Sequence, residues 1–492
     1  MRPFLWLVVV GAALGLLFAG VSTSDFVQHL DRQVHSLHCS FIPGGGAHND
    51  PSSGCAVAMM SPYSSILRSH LWGGIPISLG AMSVFAFLLF YAIDLALTRR
   101  KDDPKATLFL VAAACLPALV SAIMLIISLT QLGTTCKLCV GIYSSSALTL
   151  VGAILTWRNS RQNQTMGTSR SGGHRLEVGV STSATSTGFL AAMFGIGVAF
   201  VVIPVLLYLG MAPDNSKFIG TCEGLAKPED TYGVMMDVSR HKGGAPAIEV
   251  LDPLCPACKA FEDRLKKSGL EDKLDRRAIL FPLDNTCNWM ITETTHPGAC
   301  TVSEAVLCAG VKAPDVIEWA FANQDQIRAD TAKDPQAAAR AVKAKFPELA
   351  SCVGSPEAKS RLNKSLRWSV TNNVHVLTPQ LFVDNTKLCD EDVDLGLEFA
   401  LSVMLDRHAR GTLAVPVTAG SAAQPIQHVD APTTPEKKKA APVEKPADKP
   451  AEKPETPADK PVEKPAEPAE KPAEKPADDK PVTSPSADGS AQ

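Results

Sequence analysis

Five long apolar runs dominate the first 210 residues: Pro3–Val21, about Leu71–Leu97, Ala106–Gln131, Cys136–Trp157 and Gly188–Gly210. A helix of roughly 20 apolar residues crosses a hydrocarbon core of about 30 Å. The pattern therefore predicts five membrane helices if the first run is retained. A cleaved signal peptide is the competing reading of that run, which follows Arg2 and ends on the small residues Ala19-Gly20-Val21. Beyond Gly210 the periods change. Ala247–Leu251 reads as a buried strand, Lys259–Lys267 as an amphipathic helix, and Val302–Gly310, Asp315–Asn323 and Ala337–Lys345 as further helical stretches. Val376–Val383 is a Thr-Pro leading into a strand. From about Ala414 the apolar pattern is lost, and Glu-Lys-Pro-Ala and Ala-Asp-Lys-Pro repeats fill residues 436–480. Proline denies helix continuity and no large side chain is left to bury, so a disordered tail, a spacer in function, is expected.

Charge adds an orientation. Arg99, Arg100, Lys101 and Lys105 follow the second run, and Arg158, Arg161, Arg170 and Arg175 follow the fourth with no acid before Glu177. Both loops are expected in the cytoplasm. The longer loop Ser22–His70 holds only Arg32 and Arg68, so it is expected outside, together with everything after Gly210. A length of 492 residues suits two or three domains, and a net charge of −3 gives no reason to expect nucleic acid. The chain has 13 cysteines, which suggests an oxidising compartment. Cys222, Cys287, Cys300, Cys308, Cys352 and Cys389 are expected to include structural disulfides whose pairing the sequence leaves open.

The remaining cysteines are candidates for chemistry. Cys136-Lys137-Leu138-Cys139 stands where the fourth run begins, at the lip of the membrane. Thiols at this spacing are redox-active when one thiolate is stabilised and its partner stays in reach; two inert buried cysteines are the plainer alternative. Cys39 and Cys55 flank a stretch rich in Gly, Ser and Asn, which lets a disulfide open and close without disturbing a core. The same pair could simply staple the loop, or join His35, His38 and His48 around a metal, although no firm zinc spacing is present. Cys255-Pro256-Ala257-Cys258 lies between a strand and a helix, where the helix N-terminus favours a thiolate at Cys255. The other cysteines there are scattered singly, so no metal is expected. Cys115, alone in the third run, is expected to pack rather than react. Pro379 is chemically eligible for a cis bond beside the second C-x-x-C.

Cys55-Ala56-Val57, Ser61-Pro62-Tyr63, Gly74-Ile75-Pro76 and Gly80, with Cys39 upstream and Cys136-x-x-Cys139 downstream, resemble the vitamin K epoxide reductase homologues over about residues 3–157. The gap from Cys39 to Cys55, with Gly44-Gly45-Gly46 inside it, is wider than usual in that family. The resemblance implies a retained first helix and a four-helix bundle around a quinone, either ubiquinone or menaquinone. It also implies two thiol pairs that relay electrons, with Ser61 supporting the site by hydrogen bonding. Residues 230–405 resemble the DsbA-like branch of thioredoxin-like proteins, in which a cis-proline at the position of Pro379 presents backbone to substrate.

The fold class expected is thus a multi-pass α-helical membrane bundle, a four-helix core plus a fifth linking helix, joined to an α/β thioredoxin-like domain with a disordered tail. The domains are 1–157 (membrane bundle), 158–187 (cytoplasmic linker), 188–210 (fifth helix), 211–410 (extracytoplasmic thioredoxin-like domain) and 411–492 (tail). Together the resemblances imply a thiol oxidase of the bacterial cytoplasmic membrane acting on reduced exported proteins. Electrons would pass from Cys255, with Cys258 resolving, to Cys39 and Cys55, then to Cys136 and Cys139, and from Cys139 to quinone. The stretch Gly210–Ala247 is expected to tether the soluble domain within reach, at effective concentrations of order millimolar. Two other readings stay open: an outward-directed reductase or isomerase, and a non-enzymatic membrane-anchored binding module.

Overall fold

A computed structural model of the chain describes residues 3–33, 37–38, 53–98, 100–169 and 185–413. Cys39, His35, His48, the triple glycine, residues 170–184 of the second arginine-bearing loop and the tail lie outside the described residues. Among the described residues, five helices are long and apolar enough to cross a membrane. They are α1 (Pro3–Gln28), α3 (Ile77–Leu97), α4 (Pro104–Ile127), α5 (Lys137–Ser169) and α6 (Thr187–Met211), with the short α2 (Gly54–Met60) in the loop after α1.

The helix ends depart from the apolar runs for local reasons. The first helix continues past Val21 because its polar residues find partners inside the bundle. Thr23 Oγ1 donates to Ala19 O at 2.8 Å and lies 2.9 Å from Ser78 Oγ, whose hydroxyl can donate back. The third begins at Ile77 rather than Leu71, because Gly73 and Gly74 take positive φ and turn the chain. The turn joins a small hairpin, β1 (Ser65–Ile66) against β2 (Ile75–Pro76). The fourth ends in a π-helical turn, Ser128–Leu132, closed by Gly133 in the left-handed region.

Leu5, Val8, Phe85, Leu88, Tyr91 and Leu110 form the bundle core. Small residues let the helices approach: a Cβ on Gly152 would lie 3.0 Å from the Leu7 Cβ, and one on Gly141 would lie 2.9 Å from the Phe18 ring. Outward, Leu119 and Ile126 of α4 and Phe194, Leu206 and Leu207 of α6 are exposed. That is the surface a lipid-facing helix presents, because the bilayer rather than protein covers it. Cys115 is exposed on α4 as well, so the expectation that it packs in the bundle is not met.

The second part is built on a five-stranded mixed sheet of β3 (Met236–Ser239), β4 (Ala245–Leu251), β5 (Leu274–Leu280), β6 (Gln380–Val383) and β7 (Thr386–Lys387), in the order β3-β5-β4-β6-β7. Strands β4 and β5 are parallel and joined by α7 (Pro256–Ser268), while β6 is antiparallel to β4. Helices α8 (Ala299–Ala309), α9 (Ala313–Lys333), α10 (Ala337–Lys345) and α11 (Pro356–Thr371) form the insertion between β5 and β6, and α12 (Leu397–Ala409) closes the domain. This is a thioredoxin-like arrangement with a helical insertion. Disulfides join Cys222 to Cys389, Cys287 to Cys300 and Cys308 to Cys352.

Residues 211–247, expected to tether the domain, are themselves held against it. Ile219, Leu225 and Val234 are buried one at a time, β3 joins the sheet edge, and Cys222–Cys389 ties the segment to the domain. The domain also shares a core with the membrane bundle's loops. Phe26, Leu30 and Trp72 pack with Leu388, Leu395 and Leu397. Trp72 meets Phe399 edge-on, and an added methyl at Gly396 would collide with the Trp72 ring. Arg32 Nε is 2.8 Å from Asp392 Oδ1.

At the junction Glu398 sits between two arginines. Arg264 Nη2 is 2.8 Å and Arg68 Nη1 3.4 Å from Glu398 Oε2, and all three side chains are buried. Burial would raise the Glu398 carboxyl, but Arg264 and Arg68 hold it below the usual carboxylate range. Burial pushes the Arg68 guanidinium down to about 10. Glu398→Gln leaves two buried cations without their counter-charge. The expected cost is about 3 kcal/mol, measured as a lower thermal midpoint of the full chain in detergent. An unchanged midpoint would show that the triad does not hold the domain in place.

Candidate redox centres

The membrane centre is assembled from three elements. Helix α2 begins at Gly54, where an added Cβ would collide with Thr135 O. Only glycine allows this approach, and it brings the next residue, Cys55, against the start of α5. Cys55, Cys136 and Leu138 are buried in one cluster, with Phe18, Val21, Ala58 and Cys139 packed against it. Cys55 is disulfide-bonded, whereas Cys136 and Cys139 are free thiols. The Cys139 backbone N–H donates to Cys136 Sγ at 3.3 Å, as expected of a cysteine that caps the helix it precedes.

These cysteines open on a cavity of ≈ 350 Å³. Its wall is chiefly apolar, from Val84 and Phe85 of α3, Leu116 and Val120 of α4 and Ile142 of α5. Ser61 also faces the cavity. Its hydroxyl donates to Ala58 O at 2.8 Å and its N–H to Val57 O, closing α2. Asp25 and Tyr143 line the cavity too, and neither stood out in the sequence. Tyr143 lies one turn beyond Cys139, where helical spacing alone would place it on the same face. Asp25 accepts from His38 Nδ1 at 2.6 Å and from the His38 N–H at 3.1 Å. A carboxylate at the end of an apolar run was the available signal.

The second centre lies at the turn from β4 to α7. Cys255 caps α7, its Sγ accepting from the Cys258 N–H at 3.4 Å. The Cys255 thiol reaches Thr378 O at 3.5 Å, and the Thr378–Pro379 bond is cis. Residues 123 apart are thus brought together. The hydrogen bond from the Cys258 thiol pulls the Cys255 thiol down to about 6, while burial pushes the Cys258 thiol well up. That asymmetry gives one nucleophilic and one protonated sulfur, as exchange through a mixed disulfide requires.

Cys255 and Cys258 do not line the cavity of the membrane centre. The far end of α7 meets the membrane bundle, where Lys267 Nζ donates to Gln131 O at 3.1 Å. Cys255 lies about 18 Å from that end, at about 1.5 Å per helical residue.

Residues 6–154 match the Vitamin K epoxide reductase family. Among solved structures, the chain is similar to the oxidoreductase NmDsbA1 from N. meningitidis, at 17% identity and a TM-score of 0.28, over 39% of this chain and 93% of that one. It is also similar to reduced DsbA1 from Neisseria meningitidis, at 16% identity and a TM-score of 0.27, over 38% and 93%. No curated protein matches the chain.

Proposed function

We propose that this membrane disulfide oxidoreductase, with its vitamin K epoxide reductase family domain at residues 6–154, oxidises the dithiols of exported proteins and delivers the electrons to a membrane quinone. The observation that carries the reading is the convergence of Cys55, Cys136 and Cys139 on one apolar cavity inside the helix bundle. Its volume falls in the range of small-molecule sites, and its wall is apolar with a few polar groups, which suits a quinone ring. Ser61, Tyr143 and Asp25 are the polar groups able to orient a bound ring. A quinone there would supply the two-electron acceptor.

The protein's own steps are thiol exchanges. A substrate thiolate attacks Cys255 of the oxidised Cys255–Cys258 pair, and Cys258 leaves as the thiol. A second substrate thiolate then breaks the mixed disulfide and leaves with its new bond, so the pair ends reduced. The pair is reoxidised by exchange with Cys39–Cys55, entered at Cys39. Cys55 in turn exchanges with Cys136. Closure of the Cys136–Cys139 disulfide releases two electrons and two protons. His38 is read as the hydrogen-bond partner that holds Asp25 at the cavity rather than as a zinc ligand.

Direction is tested by the equilibrium potential of the Cys255–Cys258 pair. Oxidases of this fold lie near about −120 mV and the most reducing members near about −270 mV. A value near the first is expected; one near the second would favour the outward reductase. Sidedness is tested by labelling. The loops at 98–105 and 158–175 should be shielded from impermeant reagents in intact cells, while a tag after Gln492 should be accessible. Labelling of 158–175 from outside would overturn the bacterial inner-membrane topology proposed here.

A further inference from the structure

The loop closed by Cys287–Cys300 returns His296 to the active-site turn of the α/β domain. His296 Nδ1 lies 2.7 Å from Asp252 Oδ2, with the side chains 6% and 0% exposed. Asp252 precedes Cys255 by one turn, and the Cys255 N–H donates to Asp252 O at 3.1 Å. The carboxylate is pinned, because Oδ1 accepts from the Leu254 N–H at 2.8 Å and Oδ2 from the Leu283 N–H at 2.8 Å. It can neither turn away nor reach water. A fixed carboxylate beside a thiol that must ionise is a like-charge conflict, which by itself would keep the thiol protonated.

We propose that His296 is a positioning residue for Cys255: as an imidazolium held against Asp252, it cancels the buried carboxylate and lets Cys255 ionise for disulfide exchange. The other titratable groups around the pair are Cys258 on α7, Arg328 on α9 and Asp284 within the loop. Burial would lower the imidazolium, but the Asp252 bond and the Asp252 and Cys255 charges outweigh it and hold His296 above its ordinary value. Asp252 opposes the thiolate at Cys255, which nonetheless titrates at about 6. Thiolate and imidazolium therefore coexist from about 6 upward, until His296 loses its proton. Asp284 organises the loop by accepting from the Gly298 N–H at 3.0 Å, so the disulfide and this turn together aim the imidazole.

The inference rests on the thiol-exchange reading but not on quinone, and its test reads only Cys255. The reduced full chain in detergent is treated with iodoacetamide across pH, and capture at Cys255 is followed by peptide mass spectrometry. His296→Gln keeps a hydrogen bond to Asp252 without the charge, and should raise the midpoint of capture by about one pH unit. Asp252→Asn combined with His296→Gln removes both charges and should bring the midpoint back toward that of the unaltered chain. An unmoved midpoint in His296→Gln, with the Cys287–Cys300 disulfide intact, would overturn the proposal. So would a raised midpoint that the double variant fails to restore. If the single variant does not fold, Asp252→Asn alone is read: a cancelling pair predicts a midpoint close to that of the unaltered chain, because His296 gives up its proton with the carboxylate gone, whereas a midpoint lowered by about one pH unit would show an uncompensated carboxylate and overturn the proposal.

Discussion

Cys139→Ala should reduce quinone reduction by the full chain to background while leaving the soluble domain able to exchange disulfides. Position supports the assignment. Cys139 lies in the first turn of α5 and lines the apolar cavity with Ile142 and Tyr143. Cys136 stands before the helix and clusters with Cys55, and it lines the same cavity, so the variant decides which of the two delivers the electrons. Cys255→Ala should do the reverse, blocking transfer from protein substrates but sparing quinone reduction when a small dithiol is supplied. The check is quinol formation by each variant, with and without the dithiol. Retained quinone activity in Cys139→Ala would mean that the order of the relay is wrong.

The second large effect concerns the link between the halves. Exchange passes through a mixed disulfide that lasts only until a resolving thiol attacks it. Cys258→Ala removes the resolver in the α/β domain, and Cys55→Ala removes it on the membrane side. Neither pair can close its own disulfide in the double variant, so oxidised glutathione is supplied: it caps Cys39 as a mixed disulfide, the Cys255 thiolate displaces glutathione, and a covalent Cys255–Cys39 bridge should accumulate, seen as a cross-linked peptide pair within one chain. The described contacts sharpen the test. The domain rests on the bundle through Trp72, Arg68 and the far end of α7, about 18 Å along the helix from Cys255. The bridge therefore tests whether Cys255 comes within disulfide reach of Cys39 in the working protein. A bridge from Cys255 to Cys136, or only to other proteins, would remove the loop from the relay.

The membrane helices and the strand–CPAC–helix unit could be read from sequence because each is a local pattern: apolar length in one case, spacing against a helix start in the other. Cys55, Ser61, Cys136 and Cys139 were likewise visible as motifs, and they converge on one cavity. The junction was not visible. Arg68 and Glu398 are 330 residues apart, and nothing in either neighbourhood marks one as the partner of the other. The same holds for His296 and Asp252, 44 residues apart, which meet only once the loop between β5 and α8 folds back. How residues 211–247 join the domain was not visible, because their buried apolar side chains come singly, with no period to betray them. Asp25 was hidden by its setting, since the helix that carries it ends on polar residues that looked like loop.

The most direct test of the central claim is the stoichiometry of the complete relay. The full chain in detergent, without oxygen, is mixed with an excess of a reduced exported protein and a defined quinone, and substrate disulfides and quinol are measured together. The account predicts sustained oxidation with one quinol formed per substrate disulfide, stopping when quinone is omitted and the chain's own disulfides are spent. Substrate oxidation that continues without quinone, or quinone that remains oxidised while substrate disulfides form, would contradict it.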